Sequence, residues 1–138
     1  MTAINRYEAL QVGQAVFFDR RLSADALAGF AQLTGDNNPI HLDFAAAVAA
    51  GFPAPVVHGL LLGSVLAGII STELTDFGAV IQSFHLDFRA PAYADDTLRF
   101  SVTVSQKVDS LQTVVLALAI HRGEATLVTG RAQVGVRE

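Results

Sequence analysis

Apolar residues recur at helical spacing through the first half of the chain. Ser23 is a preferred N-cap residue, and the apolar positions after it continue at this spacing until Gly35, which predicts a helix that ends there. A short second helix is predicted over residues 44–51. From about Val57 to Leu74 almost every position is apolar, which predicts a long third helix buried on nearly all sides.

The second half of the chain changes to the period of two that is typical of strands. In residues 81–90, aromatic and aliphatic residues alternate with polar ones, and the later segments are rich in β-branched side chains. Turn residues at 109–110 and 123–124 divide this half into about four antiparallel strands. Residues 14–22 predict one further strand ahead of the helices.

We expect these elements to form one α+β domain over residues 1–138. A central helix that is apolar all round needs cover over most of its circumference. A strongly curved antiparallel sheet wrapped around that helix would supply the cover, and the two shorter helices would form an overhang before it.

The composition excludes several classes of function. The chain is 51% hydrophobic with a formal net charge of -4, so it lacks the basic character typical of nucleic-acid binding. It contains no cysteine, which excludes disulfides, thiolate catalysis and cysteine-ligated zinc. Residues 1–14 contain no apolar run that could act as a signal sequence. We therefore expect a cytoplasmic protein.

The apolar segment over residues 54–70 is also the main candidate for a membrane span. It is at the lower limit of length for a span, and His58 and Ser64 interrupt it. No Lys or Arg brackets it. We expect a helix buried within a protein and no membrane partner.

Three polar residues stand directly ahead of this segment. Asp36, Asn38 and His41 lie within six residues of one another, and a carboxylate with an imidazole forms a natural proton-transfer pair. Pro39 denies helical structure to Asn38 and holds the loop extended. The alternative is an ordinary turn in which Asp36 and Asn38 satisfy backbone groups and His41 packs or caps.

Gly59 falls near the first turn of the predicted long helix. Its N–H would be one of the free donors at that end, where the helix dipole favours negative charge. It could hold a carbonyl oxygen that gains charge during a reaction. A packing requirement for glycine is the alternative, as are a packed or capping role for His58 and an intrahelical hydrogen bond for Ser64.

The segments "GDNNPIH" and "VVHGLLLGSVLAGII" resemble the motifs of the MaoC-like dehydratases, which include the (R)-specific enoyl-CoA hydratases. The later segment "QSFHLDFRAPAYADDTL" also resembles a strand of that family, so the resemblance extends from about Val12 to Val134. It implies a hot-dog fold, in which a curved antiparallel sheet wraps around one long helix. It also implies a homodimer or higher oligomer that binds CoA thioesters at the interface between two hot-dog units.

The resemblance implies a role for each motif residue. Asp36 and His41 would activate the water that adds to a 2-enoyl-CoA, Asn38 would support their hydrogen bonds, and the Gly59 N–H would polarise the thioester carbonyl. The product would be a (3R)-3-hydroxyacyl-CoA, with no metal or other cofactor, since CoA is part of the substrate. The chain departs from some members at Ala67, where they carry Ser, and the loss of this hydroxyl bears on rate or substrate fit.

Other residues are candidates for contact with the substrate. Phe52, Leu60 and Leu61 would line the acyl pocket, and Arg89 would reach the CoA phosphates, unless it is a solvated arginine on a strand face. His58 and Ser64 are two more candidates for substrate contact.

Two other functions remain open. A hot-dog thioesterase would typically carry a carboxylate on the central helix, but residues 59–70 contain none. A non-catalytic acyl-CoA binding module is the second. For a hydratase, the pathway also stays open among fatty-acid oxidation, supply of polyhydroxyalkanoate monomers, and branched or dicarboxylic acyl-CoA metabolism.

Overall fold

The computed structural model describes residues 5–138 and has the predicted α+β order of elements. Residues 1–4, the first part of the segment in which no signal sequence is predicted, lie outside the described residues. One strand and three helices precede four strands: β1 (Ala15–Arg20), α1 (Ala24–Thr34), α2 (Phe44–Ala49), α3 (Gly59–Ile69), β2 (Ala79–Phe88), β3 (Leu98–Val108), β4 (Thr113–Arg122) and β5 (Ala125–Val136).

The five strands form one sheet in the order β1-β3-β4-β5-β2. Every neighbouring pair is antiparallel, and register shifts interrupt three of the four pairings. Alternate residues of β3 and β4 face inward and are fully buried, among them Phe100, Val102, Leu116 and Ile120. They pack in one core with the buried side of α3, as expected for a sheet that covers a central helix.

The central helix differs from the prediction at its end. It is α-helical only from Gly59 to Ile69 and then widens into a π-helical turn over Ile70–Leu74. The Thr75 N–H donates to the carbonyl of Ile70, five residues earlier, and the Thr75 hydroxyl donates to the same oxygen at 2.9 Å. Both bonds satisfy the carbonyl group of Ile70, which would otherwise be free near the helix end.

The expected burial of α3 on nearly all sides is only partly fulfilled within one chain. Leu62, Val65 and Leu66 are buried, but Leu60 is 70% exposed and Ser64, one turn later, is also exposed. No helix in residues 5–138 is both long enough and apolar enough to cross a membrane.

Helix α1 begins and ends where the sequence predicts. The Ser23 hydroxyl accepts a hydrogen bond from the Ala26 N–H at 3.2 Å. Gly35 has the left-handed conformation, with φ of 80°, that glycine adopts without strain at a helix end. The chain therefore leaves α1 sharply, and Asp36 follows at once beside the start of α3.

Glycine lets the start of α3 approach β2 closely. A Cβ atom at Gly59 would lie 2.7 Å from the ring of Phe88, and one at Gly63 would lie 2.8 Å from the side chain of Leu86. Both distances are shorter than a real Cβ contact, so the absence of a side chain sets the spacing between helix and strand. The N-terminal end of α3 thereby lies against the C-terminal end of β2.

Candidate active site

The cavity that contains the predicted polar cluster opens between four parts of the chain. It has a volume of about 720 Å³. Its walls come from the end of α1, the loop after it, the stretch from Phe52 to the start of α3, and the end of β2 with the segment that follows it. The lining residues are Phe30, Thr34, Asp36, His41, Phe52, Val56, Val57, Gly59, Leu60, Leu62, Phe88, Arg89, Ala90, Pro91 and Ala92.

The loop after α1 is held by its own polar side chains. The Asn38 N–H lies 3.4 Å from Asp36 Oδ1, to which it donates, and the Asn38 side-chain oxygen accepts from the Ile40 N–H at 3.2 Å. Pro39 then begins a short 3-10 turn that ends at His41, so the predicted extended conformation holds at Asn38 but not over residues 39–41. Asn38 does not line the cavity, and its contacts instead orient the backbone that carries Asp36 and His41.

A backbone carbonyl determines the tautomer of His41. Its Nδ1 atom lies 2.6 Å from the carbonyl oxygen of Val56. Because a carbonyl can only accept, Nδ1 must carry the proton and donate it to this bond. In the neutral imidazole, Nε2 is then the nitrogen that can accept a proton from a bound molecule.

His58 lies behind His41. Its side chain is 1% exposed, and its ring stacks on that of His41, with 3.8 Å between centroids and 22° between planes. Its Nε2 atom lies 3.2 Å from the carbonyl oxygen of Asp36. His58 is not part of the cavity lining, so the structure places it in contact with the polar cluster and not with the cavity.

The Gly59 N–H is a free donor at the start of α3. Within residues 5–138 it makes no hydrogen bond, as expected for the first position of a helix. Gly59 also lines the cavity that Asp36 and His41 line. One cavity thus combines a carboxylate, an imidazole nitrogen without a proton and a backbone donor at a helix N-terminus.

The same cluster offers three atoms at metal-binding distance. One ligand atom each from Asp36, His41 and His58 lie within 4.8 Å of one another. Two contacts disfavour coordination, since His41 Nδ1 and His58 Nε2 are engaged by carbonyl groups. The lone pairs that remain on the two imidazoles lie in the planes of stacked rings, which are 22° apart. The arrangement suits proton transfer better than the tetrahedral geometry of zinc.

The structure brings most of the other predicted residues to the cavity. Phe52, Leu60 and Arg89 line it, and Arg89 Nε donates to the Thr129 hydroxyl at 2.9 Å. Leu61 lies outside the lining and packs against the hydrophobic core. Phe30 also lines the cavity, from α1, and was not among the predicted site residues, because its only sequence signal is its place in the helical period.

A second cavity adjoins the first and contains Ser64. It has a volume of about 560 Å³ and shares Phe30, Thr34 and Leu60 with the first cavity. The Ser64 hydroxyl donates to the carbonyl of Leu60 at 2.7 Å, which is the intrahelical alternative considered from the sequence. Ala67 lies in the same lining.

Residues 9–124 match the family model described as "MaoC like domain". The chain is 34% identical to the (R)-specific enoyl-CoA hydratase of Aeromonas caviae over 128 residues. This alignment covers 92% of this chain and 96% of that protein. It is 32% identical to a 3-hydroxybutyryl-CoA dehydratase of Methylorubrum extorquens over 130 residues. That alignment covers 94% of this chain and 83% of the relative.

The fold is also similar to that of a hydratase. The solved structure of an (R)-hydratase from A. caviae, involved in PHA biosynthesis, matches with a TM-score of 0.90 at 34% identity. The match covers 94% of this chain and 98% of that one, and it confirms the expected hot-dog fold. The chain therefore belongs to the family of proteins with a MaoC-like domain.

Proposed function

We propose that this protein is an (R)-specific enoyl-CoA hydratase. It adds water reversibly to a trans-2-enoyl-CoA and gives a (3R)-3-hydroxyacyl-CoA. One observation carries the proposal: the side chains of Asp36 and His41 and the unpaired N–H of Gly59 belong to one cavity, and the Nδ1 of His41 is engaged by a carbonyl, which leaves its Nε2 for the substrate. The hydratase and dehydratase relatives support the same reaction.

The three groups divide the reaction between them. The Gly59 N–H donates to the thioester carbonyl oxygen, which draws electrons from the double bond and makes C3 electrophilic. Asp36 and His41 hold one water molecule between them and accept its proton as its oxygen bonds to C3. The proton taken up by this pair then passes to C2 on the same face, so the oxygen and both hydrogens of one water end in the product and the two side chains return to their starting state.

Beyond the reacting groups, the lining offers apolar surface and one arginine. Phe52 and Leu60 offer apolar surface for the acyl chain next to the reacting carbons. Arg89 is exposed and uses only Nε in its bond to Thr129, so its terminal N–H groups are available to the CoA phosphates. The reaction has no net oxidation or reduction and therefore needs no redox cofactor, and we expect no metal because the polar groups of the cavity suffice for the proton transfers.

The first test is hydration of crotonyl-CoA. We expect loss of the absorbance of the conjugated thioester, formation of the (3R) product and no release of free CoA. Because the protein has no cysteine, a thiol reagent reports only CoA that has been released. Thiol release in place of hydration would make the protein a thioesterase. Absence of both signals over crotonyl, longer, branched and dicarboxylic enoyl-CoAs would contradict the enzyme assignment and favour a binding module.

We also propose that the protein works as a homodimer, with each chain as a single domain in the cytoplasm. Leu60 and Leu33 are 70% and 85% exposed, and both lie at the second cavity beside β2, an edge strand of the sheet. An exposed edge beside apolar surface is a favoured place for a second chain. Light scattering at micromolar concentration is expected to give twice the chain mass of 14.6 kDa; a monomer would contradict the proposal.

A further inference from the structure

We infer that His58 is a positioning residue that sets the geometry between Asp36, His41 and the Gly59 N–H without contacting the substrate. The inference rests on the proposed hydratase function and assigns a role to a residue outside the cavity lining. Three contacts of the buried ring carry it.

The first contact ties the loop to the helix. His58 Nε2 lies 3.2 Å from the carbonyl oxygen of Asp36, 22 residues earlier in the chain. Since the carbonyl can only accept, Nε2 carries the proton and donates. His58 is bonded covalently to Gly59, so this hydrogen bond joins the residue that supplies the carboxylate to the immediate neighbour of the residue that supplies the backbone donor.

The second and third contacts hold the ring itself. The His41 ring stacks on it at 3.8 Å, and the ring of Phe30 meets it edge to face at 4.9 Å and 60°. Packing of this kind restricts the ring to one orientation and places His41 against a flat, rigid surface. The rotation of His41 about its side-chain bonds is therefore limited from the face away from the cavity.

Ordinary structural roles do not account for this histidine. His58 occupies the N-cap position of α3, yet its side chain makes no capping hydrogen bond. Its Nδ1 is buried and has no partner among residues 5–138. A buried acceptor without a partner costs free energy, and a leucine or phenylalanine would avoid that cost. The hydrogen bond from Nε2 to the Asp36 carbonyl offsets this free-energy cost.

Two substitutions separate the hydrogen bond from the stack. His58→Phe keeps a flat ring and removes the donor, whereas His58→Gln removes the ring and keeps an N–H at similar reach. We expect His58→Phe to lower kcat by about 10–10²-fold, because small displacements of catalytic groups have effects of this size. KM should change by less than about threefold, because the residue does not contact substrate. His58→Gln should restore most of the lost kcat.

Thr75→Val is the matched control. Thr75 is also 1% exposed and donates a hydrogen bond to a backbone carbonyl, but at the other end of the central helix. We expect this variant to lower the melting temperature and leave kcat unchanged. Equal loss of kcat in Thr75→Val and His58→Phe would reduce His58 to a stability role and overturn the inference, as would wild-type kcat in His58→Phe or a loss confined to KM.

A tautomer measurement tests the contact without any substitution at His58 that could fail to fold. The chain has four histidines, so long-range proton–nitrogen spectra of the wild type can be assigned with His85→Gln and His121→Gln variants. We expect a proton on Nε2 of His58 and on Nδ1 of His41. A neutral His58 with its proton on Nδ1 could not donate from Nε2 to the Asp36 carbonyl, and this result would overturn the inference. This result is independent of the hydration assay, so failure of the positioning role and failure of the proposed function are distinguishable.

Discussion

Replacing Asp36 with Asn, or His41 with Ala, is expected to lower the kcat of hydration by about 10²–10⁴-fold, the range for loss of a general acid or base. Asp36→Asn keeps the shape of the side chain and removes the charge that accepts a proton. His41→Ala removes the proton-free Nε2. Both side chains line the cavity and neither belongs to the buried core, so the fold should survive, as measured by circular dichroism and melting temperature.

Two matched controls separate the site from its surroundings. Asp43→Asn changes an exposed carboxylate seven residues from Asp36 that makes no capping bond and does not line the cavity. His121→Ala changes a histidine on β4, also outside the cavity lining. Both should keep near-normal turnover. If Asp36→Asn and His41→Ala fold and also retain near-full activity, the catalytic assignment is wrong.

Removal of the Gly59 N–H should have the second largest effect. Gly59→Pro deletes this donor at the first helical position, where proline is well tolerated. His58 precedes it with φ of -56° and ψ of 131°, a conformation that suits a residue before proline. We expect kcat for Gly59→Pro to be about 10²–10³-fold below that of Gly59→Ala, as for loss of one oxyanion donor.

Gly59→Ala is the control because it shares the steric change. In both variants the new Cβ, in its ideal position, would lie 2.7 Å from the ring of Phe88. Only alanine keeps the N–H. A Phe88→Ala background removes that contact and gives the same comparison without it. Equal kcat values for the proline and alanine variants in that background would exclude the backbone donor from the reaction.

The outline of the fold could be predicted from local patterns. Helix α1 begins after Ser23 and ends before Gly35 because the capping hydroxyl and the left-handed glycine act on their immediate neighbours. The strands follow the period of two because one face of the sheet is buried and the other is not. The end of α3 was predicted less well, since the choice of a π-helical turn at Ile70 depends on the pairing of Thr75.

The polar loop was also predictable. Asp36, Asn38 and His41 lie close together in the chain, and Pro39 with the Asn38 side chain holds the turn between them. The position of Gly59 at a helix start followed from the apolar run behind it. The motif resemblance then implied a hydratase reaction, and the relatives support that reaction.

The contacts that turn these residues into one site join distant parts of the chain. His41 meets the carbonyl of Val56, His58 meets that of Asp36, and Phe88 meets Gly59. Each contact depends on how the sheet holds α3, and no local period encodes that distance. For this reason the sequence left His58 as a candidate for substrate contact. In the structure, its ring instead lies behind that of His41.

The sequence by itself therefore determined the α+β order of elements, the polar loop and the helix start, because caps, turns and hydrophobic periods act over a few residues. Only the tertiary structure decided the tautomer of His41, the burial of His58 and the exposed side of α3 at Leu60. These features depend on which backbone carbonyl or side chain arrives from another element, and packing of the whole domain determines that.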